Sequence, residues 1–145
     1  MVKLEEIARE LGAEILEIGR PVKTVEQATR ETGVARKQVI KSLVIISERE
    51  PLLVIVDGES MVSMRKLREF FGSCRFARPD EVRKLTGYEV GGVPPVGVPL
   101  RTIIDPRVLE NEYVIGGGGA VDKLLRVKPQ KIAEYQKAEI RDVRD

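Results

Sequence analysis

Two aliphatic runs, Val39–Ile46 and Leu52–Val56, are separated only by Ser47–Pro51. Both are rich in β-branched residues and nearly unbroken, the pattern of central strands rather than of strands with one wet face. A connection this short joins neighbours antiparallel, because a parallel return needs a dozen residues or more. The chain is therefore expected to fold around a buried hairpin, and its other segments to cover that hairpin.

The helices announce themselves by their ends. Leu4, Ile7, Ala8 and Leu11 recur at helical spacing and Gly12 closes them. Thr24 followed by Gln27 is a capping box, opening a helix that runs through Thr32 and stops at Gly33. Ala35–Gln38 reads as one more helical turn or a loop. Ser63 can cap a helix reaching Gly72, with Met64, Leu67 and Phe71 on one face. Pro79, with Asp80 and Glu81 behind it, starts a helix ending near Gly87, and Pro129–Gln136 forms another. Shorter strands are expected at Ile15–Ile18, Cys74–Ala77, Arg101–Ile104, Glu112–Ile115, Leu124–Val127 and Ala138–Val143. Hairpins mixed with helices favour an α+β mixed sheet over strict βαβ alternation, in one domain spanning 1–145.

Composition excludes more than it selects. No histidine occurs in the 145 residues, which removes Ser-His-Asp and Cys-His catalysis and the histidine zinc sites. An enzyme built from this chain must use positioning, main-chain donors, Lys, Arg or carboxylates; neither a metal nor a cofactor is expected. A lone Cys74 forbids an internal disulfide and fits a reducing compartment. No apolar run approaches the roughly 18 residues of a membrane span, and MVKLEEIARE lacks a secretory core. A cytoplasmic protein without membrane contact is the expectation. The net charge of +2 neither announces nor excludes a nucleic-acid partner.

Three stretches could carry chemistry. Thr86–Gly97, TGYEVGGVPPVG, is both glycine-rich and stiffened by Pro94 and Pro95. It is either a connector or a wall of fixed shape held against a small molecule. Gly116–Gly119 lacks the Lys-Ser/Thr of a phosphate loop and precedes a strand rather than a helix, leaving a main-chain nest or a tight turn. Lys41, at period two, shares a strand face with Val39, Leu43 and Ile45. Such a lysine stands at a pocket, or else the strand begins at Leu43 and Lys41 reaches out from its entrance. Asp122 either caps a turn or projects into a site. The clusters Arg65–Lys66–Arg68 and Arg83–Lys84 read as solvated helix faces.

In order along the chain, Lys41–Ser42–Leu43, then T-G-Y, then Gly91 to Pro95, then the strand ending in Asp105 and the glycine turn with Asp122 resemble the YbaK/ProX family of aminoacyl-tRNA deacylases. That family includes the editing domain inserted in bacterial prolyl-tRNA synthetases, and the resemblance covers about residues 28–145. It implies a curled, barrel-like mixed sheet surrounded by helices. It also implies a trans-acting hydrolase that releases alanine, cysteine or serine from mischarged tRNA, binding the 3′ aminoacyl-adenosine end, with a synthetase as a further possible partner. Lys41 and Asp122 would be the catalytic pair, and Ser42, Gly91, Gly92, Pro95, Gly117 and Gly118 would bind substrate. Ser42 stands where threonine is commoner, and Ile15–Arg20 lacks a tyrosine that some members carry; both bear on side-chain specificity. A non-catalytic module of the same fold, holding tRNA ends or a synthetase, is the alternative. A nucleotide-binding regulator is disfavoured by the failed phosphate motifs.

Overall fold

The computed structural model describes residues 2–145. The chain runs α1 (Leu4–Leu11), β1 (Glu14–Glu17), α2 (Val25–Thr32), β2 (Ile40–Ser47), β3 (Pro51–Asp57), α3 (Met64–Phe71), β4 (Cys74–Phe76) and α4 (Pro79–Thr86). It continues through β5 (Arg101–Ile104), β6 (Val114–Gly117), β7 (Lys123–Val127), α5 (Pro129–Gln136) and β8 (Glu139–Ile140). Short 3-10 turns occur at Arg36–Gln38 and Val108–Glu110.

The hairpin expected from the aliphatic runs is at the centre. β2 and β3 pair antiparallel, with Lys41 opposite Val56 and Ile45 opposite Leu52. β3 then pairs parallel with β5, and β5 with β8, while β4 lies antiparallel on the outer edge of β2. The resulting five-stranded mixed sheet has the order β4-β2-β3-β5-β8. Leu52 through Val56 are wholly buried because helices cover both faces of β3. On one face Leu53 and Ile55 meet Ile7 of α1, Val82 of α4 and Ile132 of α5. On the other, Leu52, Val54 and Val56 meet Leu67 and Phe71 of α3. Each such side chain contributes about 1.5–3 kcal/mol relative to exposure, so the hairpin is the most strongly held part of the chain.

The helix ends follow the predicted signals. Gln27 N–H donates to Thr24 Oγ1 at 3.1 Å, and Thr24 N–H donates to Gln27 Oε1 at 3.3 Å, closing the capping box. Ser63 caps α3, Pro79 opens α4, and Gly12, Gly33 and Gly87 close their helices in the left-handed region.

A second sheet, β1-β7-β6, is antiparallel throughout and touches the first by one parallel bridge, Val39 to Ile115. Val39, Ile115 and Leu124 pack there with Val22 and Ala28 of the α2 region. The curled, barrel-like expectation thus needs refinement: the strands form two abutting sheets that do not close into a barrel. Two further differences concern single strands. β6 runs into Gly116 and Gly117, so half of the glycine run is strand rather than turn. The closing strand is confined to Glu139–Ile140; beyond it Val143 N–H is taken by the buried Asp105 Oδ2 at 3.0 Å instead of by a ladder.

Candidate active site

The junction of the two sheets leaves one length of β2 uncovered. Ser47 N–H donates to Glu50 O at 3.1 Å, so the odd-numbered residues of β2 turn their main-chain groups to β3. The even-numbered residues face the other edge, where Ala77 N–H donates to Val44 O at 3.0 Å. β4 covers that edge from Ile45 to Ser47, and Val39 is met by Ile115. Between them Ser42 presents its main-chain N–H and C=O to a cavity of about 300 Å³. A similar alternation holds in β6: Gly118 N–H donates to Lys123 O at 3.0 Å, which turns the Gly117 amide away from β7 and to the cavity side.

Lys41, Ser42, Gly91 and Gly117 all line this cavity; Val22, Val25, Ala28, Val39, Leu43 and Leu124 are among its aliphatic walls. Strand β2 begins at Ile40, so Lys41 lies inside it, half-buried, and of the two placements considered for it the pocket is the one it occupies. Its ammonium donates to the Ser60 carbonyl. Burial pushes the Lys41 pKa below the usual lysine value, Asp57 opposes that shift, Arg36 adds to it and Glu26 opposes it. The Ser42 Oγ is buried and has no hydrogen-bond partner among the described residues. A buried hydroxyl left open in this way is costly unless a ligand or solvent completes it.

The Gly/Pro loop forms the opposite wall by main-chain contact. A Cβ on Gly117 would lie 2.2 Å from Val93 O, and Gly119 N–H donates to Gly92 O at 2.9 Å. Only glycine lets the two backbones meet so closely. The stretch Gly91–Pro95 is therefore more than a connector. Gly91 faces the cavity with φ 91°, and the Lys23 side chain lies over it. Gly92 and Pro95 stand behind that surface: a Cβ on Gly92 would meet the Ala120 backbone at 3.0 Å, and Pro95 is buried beside Gly116.

Gly118 borders a separate hollow of about 390 Å³ beside Tyr88. Asp122 lies in the turn before β7, where its main-chain carbonyl accepts from Ile18 N at 3.0 Å and Gly19 N at 3.4 Å. Asp122 is not among the residues lining this cavity. The clusters read as solvated helix faces are paired: Arg65 with Glu69 at 2.9 Å, Lys66 with Asp142 at 2.9 Å and Arg83 with Glu89 at 3.0 Å.

Sequence reasoning missed Asp57 and Ser60, which stand behind Lys41. The signal was present as Asp57–Gly58–Glu59–Ser60, a turn composition directly after a buried strand. It also missed Lys23 and Thr24, which line the cavity from the start of α2. Among the described residues, no three His, Cys, Asp or Glu side chains converge as a metal site, and no helix is long and apolar enough to cross a membrane. The cavity thus offers the Lys41 and Lys23 side chains, hydroxyls and main-chain amides within aliphatic walls. Such a lining can orient a small neutral group and stabilise negative charge developing on an oxygen.

A family model described as an aminoacyl-tRNA editing domain matches residues 19–135. The proline–tRNA ligase of Thermodesulfovibrio yellowstonii is 31% identical over 93% of this chain, which spans only 24% of that ligase. The uncharacterised protein YwhH of Bacillus subtilis is 30% identical over 77% of the chain and 74% of its own length. Among solved structures, a candidate trans-editing enzyme for prolyl-tRNA synthetase superposes with a TM-score of 0.88 at 28% identity, covering 100% of this chain and 99% of its own.

Proposed function

The chain belongs to the aminoacyl-tRNA editing domain family, and from that membership we propose that it is a trans-acting deacylase acting on mischarged tRNA in the cytoplasm. The observation that carries the reading is the cavity at the sheet junction. It is walled by aliphatic side chains, yet holds the Lys41 ammonium and an uncompensated Ser42 hydroxyl. An aminoacyl ester linked to the 3′-terminal ribose supplies the partner that the Ser42 hydroxyl lacks and a further acceptor for Lys41 beside Ser60 O.

In this reading the aminoacyl group enters between β2 and the Gly91–Val93 wall. Water adds to the ester carbonyl carbon, and the oxygen that becomes negative is met by Lys41 and by the Gly117 amide. Collapse of the tetrahedral intermediate breaks the bond to the ribose oxygen, which takes up a proton as the amino acid leaves. The ester is activated already, and the neighbouring ribose hydroxyl can assist its own hydrolysis. A histidine-free site that orients and stabilises is therefore sufficient. Ser42 and Gly91 hold the acyl group, while Gly92, Pro95, Gly118 and Asp122 keep the wall and its turn in place. Discarding a wrong amino acid after attachment is useful because one methylene separates substrates by only about 1–3 kcal/mol at a binding site.

The test is release of amino acid from alanyl-, seryl- and cysteinyl-tRNA, each prepared on cognate and on proline tRNA. Catalytic release from at least one mischarged tRNA is expected. Saturable tRNA binding with no turnover on any of them would replace the hydrolase by the binding module.

A further inference from the structure

Lys41 owes its position to a group that does not touch the cavity. The turn after β3 folds back so that Ser60 N–H donates to Asp57 O at 3.2 Å, and Ser60 Oγ donates to Asp57 Oδ1 at 2.5 Å. The same carboxylate accepts from Glu59 N–H at 3.1 Å through Oδ2. Arg107 Nε lies 3.3 Å from Oδ2 as an ion pair, and the Arg107 guanidinium also holds Glu59. Asp57 itself is wholly buried. Lys41 Nζ donates to the Ser60 carbonyl of this turn, and the Gly58 carbonyl accepts from Arg36 Nη2 at 3.4 Å.

From this chain of contacts we infer that Asp57 is a positioning residue, which acts through Ser60 to hold the Lys41 ammonium at the cavity wall. The inference rests on the proposed deacylase site, but its test does not depend on that activity alone. A buried carboxylate is a costly group to keep at the end of a strand unless its bonds are all used. Here each oxygen has a partner, and the structure they fix is the turn that receives Lys41. The Asp57 charge also acts on the lysine directly, opposing the burial that lowers the Lys41 pKa; the positioning role is therefore read from Ser60→Ala, which alters the turn and leaves the charge in place. The other charged groups that bear on Lys41 are Arg36, in the 3-10 turn before β2, and Glu26, on α2.

The experiment follows Lys41 directly. Protein labelled with [ε-13C]lysine is titrated by NMR, the Lys41 resonance being assigned by its loss in Lys41→Arg. Asp57→Asn removes the charge and should lower the Lys41 midpoint by about 1 pH unit, the effect of one close opposite charge. The alkaline limb of the turnover profile on alanyl-, seryl- or cysteinyl-tRNA should move down with it. Ser60→Ala keeps the carboxylate and its bond from Glu59 N–H but removes the Ser60 Oγ bond to Asp57. It should leave the midpoint nearer the parent's and reduce turnover with KM little changed. Should Asp57→Asn fail to fold, Asp57→Glu takes its place: the charge is kept, so the midpoint should stay near the parent's, while the displaced carboxylate lowers turnover, and parent-like turnover overturns the inference. An unmoved midpoint in folded Asp57→Asn, or turnover in both variants falling only with the folded fraction, overturns the inference. A protein inactive on every tRNA but showing the shifted midpoint would sink the deacylase and leave the positioning role standing.

Discussion

Gly117→Ala is the substitution with the most direct structural consequence. The added Cβ would stand 2.2 Å from Val93 O, 2.8 Å from Val93 C and 3.1 Å from Gly92 C, all main-chain atoms. No rotamer change relieves this overlap, because the obstacle is backbone on both sides. An ordinary carbon contact is about 3.5–4.0 Å, so β6 and the Gly/Pro loop must part by roughly 1 Å or more. Overpacking of that kind costs about 1–3 kcal/mol, and a loss near 2 kcal/mol should lower the melting temperature by roughly 5–10 °C for a chain of this size. The separation widens the wall carrying the Gly117 amide. Misplacement of catalytic groups by about 1 Å typically costs on the order of a hundredfold in rate. The assay is deacylation by the folded fraction, measured well below the melting transition, beside Gly33→Ala as control. Gly33 has open space at its Cβ position and φ 76°, so alanine there strains the backbone without touching the cavity. Gly117→Ala melting with the parent and turning over at the parent's rate would refute the close-packed wall.

Lys41→Ala should retain the fold and lose about a hundredfold in turnover, the usual effect of removing one electrostatic contact to a transition state; circular dichroism and single-turnover deacylation check both parts. Gly92→Ala directs its Cβ at the Ala120 backbone, 3.0 Å away, rather than into the cavity. It should lower stability modestly and leave the ratio of alanyl, seryl and cysteinyl release unchanged, and an altered ratio would place Gly92 at the acyl group. The Glu81 carboxylate is held down at about 2, first by Arg75 and then by the Arg78 amide. Its folded pKa is depressed, so its contribution is present above pH 4.5 and is lost as pH falls towards about 2. Glu81→Gln should flatten the acid limb of a stability profile in that window, less so at high salt because the pair is exposed. Binding of tRNA should show a shallow salt dependence, about 0.7 to 0.9 in log–log slope per phosphate neutralised, measured by filter binding across a salt series.

The parts of this fold written in local chemistry were legible. The Thr24–Gln27 box, Ser63 and Pro79 each mark a helix start within a few residues of themselves, and the helices begin there. The hairpin was legible because its two strands are adjacent in sequence and both are buried. Long-range causes were not. Gly116 and Gly117 read as turn because glycine is a poor strand former, yet they lie in β6, where Val93 occupies the space a side chain would need at Gly117 and Ile40 and Pro95 crowd Gly116. The truncated last strand depends on Asp105, far away in sequence, capturing Val143. For the site, the family resemblance names Lys41, Ser42, Gly91 and Gly117, which share one cavity, and Gly92, Pro95, Gly118 and Asp122, which do not line it. Asp57 is marked in the sequence only as the start of a turn, since the pairing with Arg107 and the bond from the turn to Lys41 arise only on folding.

The smaller sheet has a consequence for synthesis on the ribosome. The β2–β3 hairpin can pair as soon as its own residues emerge, but β1 must wait for β7, since Glu14 pairs with Arg126 and Glu17 with Lys123. Closing so long a loop is slow compared with a local hairpin. During elongation the nascent chain therefore holds β1 and the aliphatic patch around Val22, Ala28 and Val39 without their partners Ile115 and Leu124. An exposed strand edge beside apolar side chains is the kind of surface that chaperones bind and that invites misassociation. Assembly of the pocket thus waits until β7 has emerged, and substitutions in β7 should lower the yield of soluble protein more than their effect on the finished fold suggests.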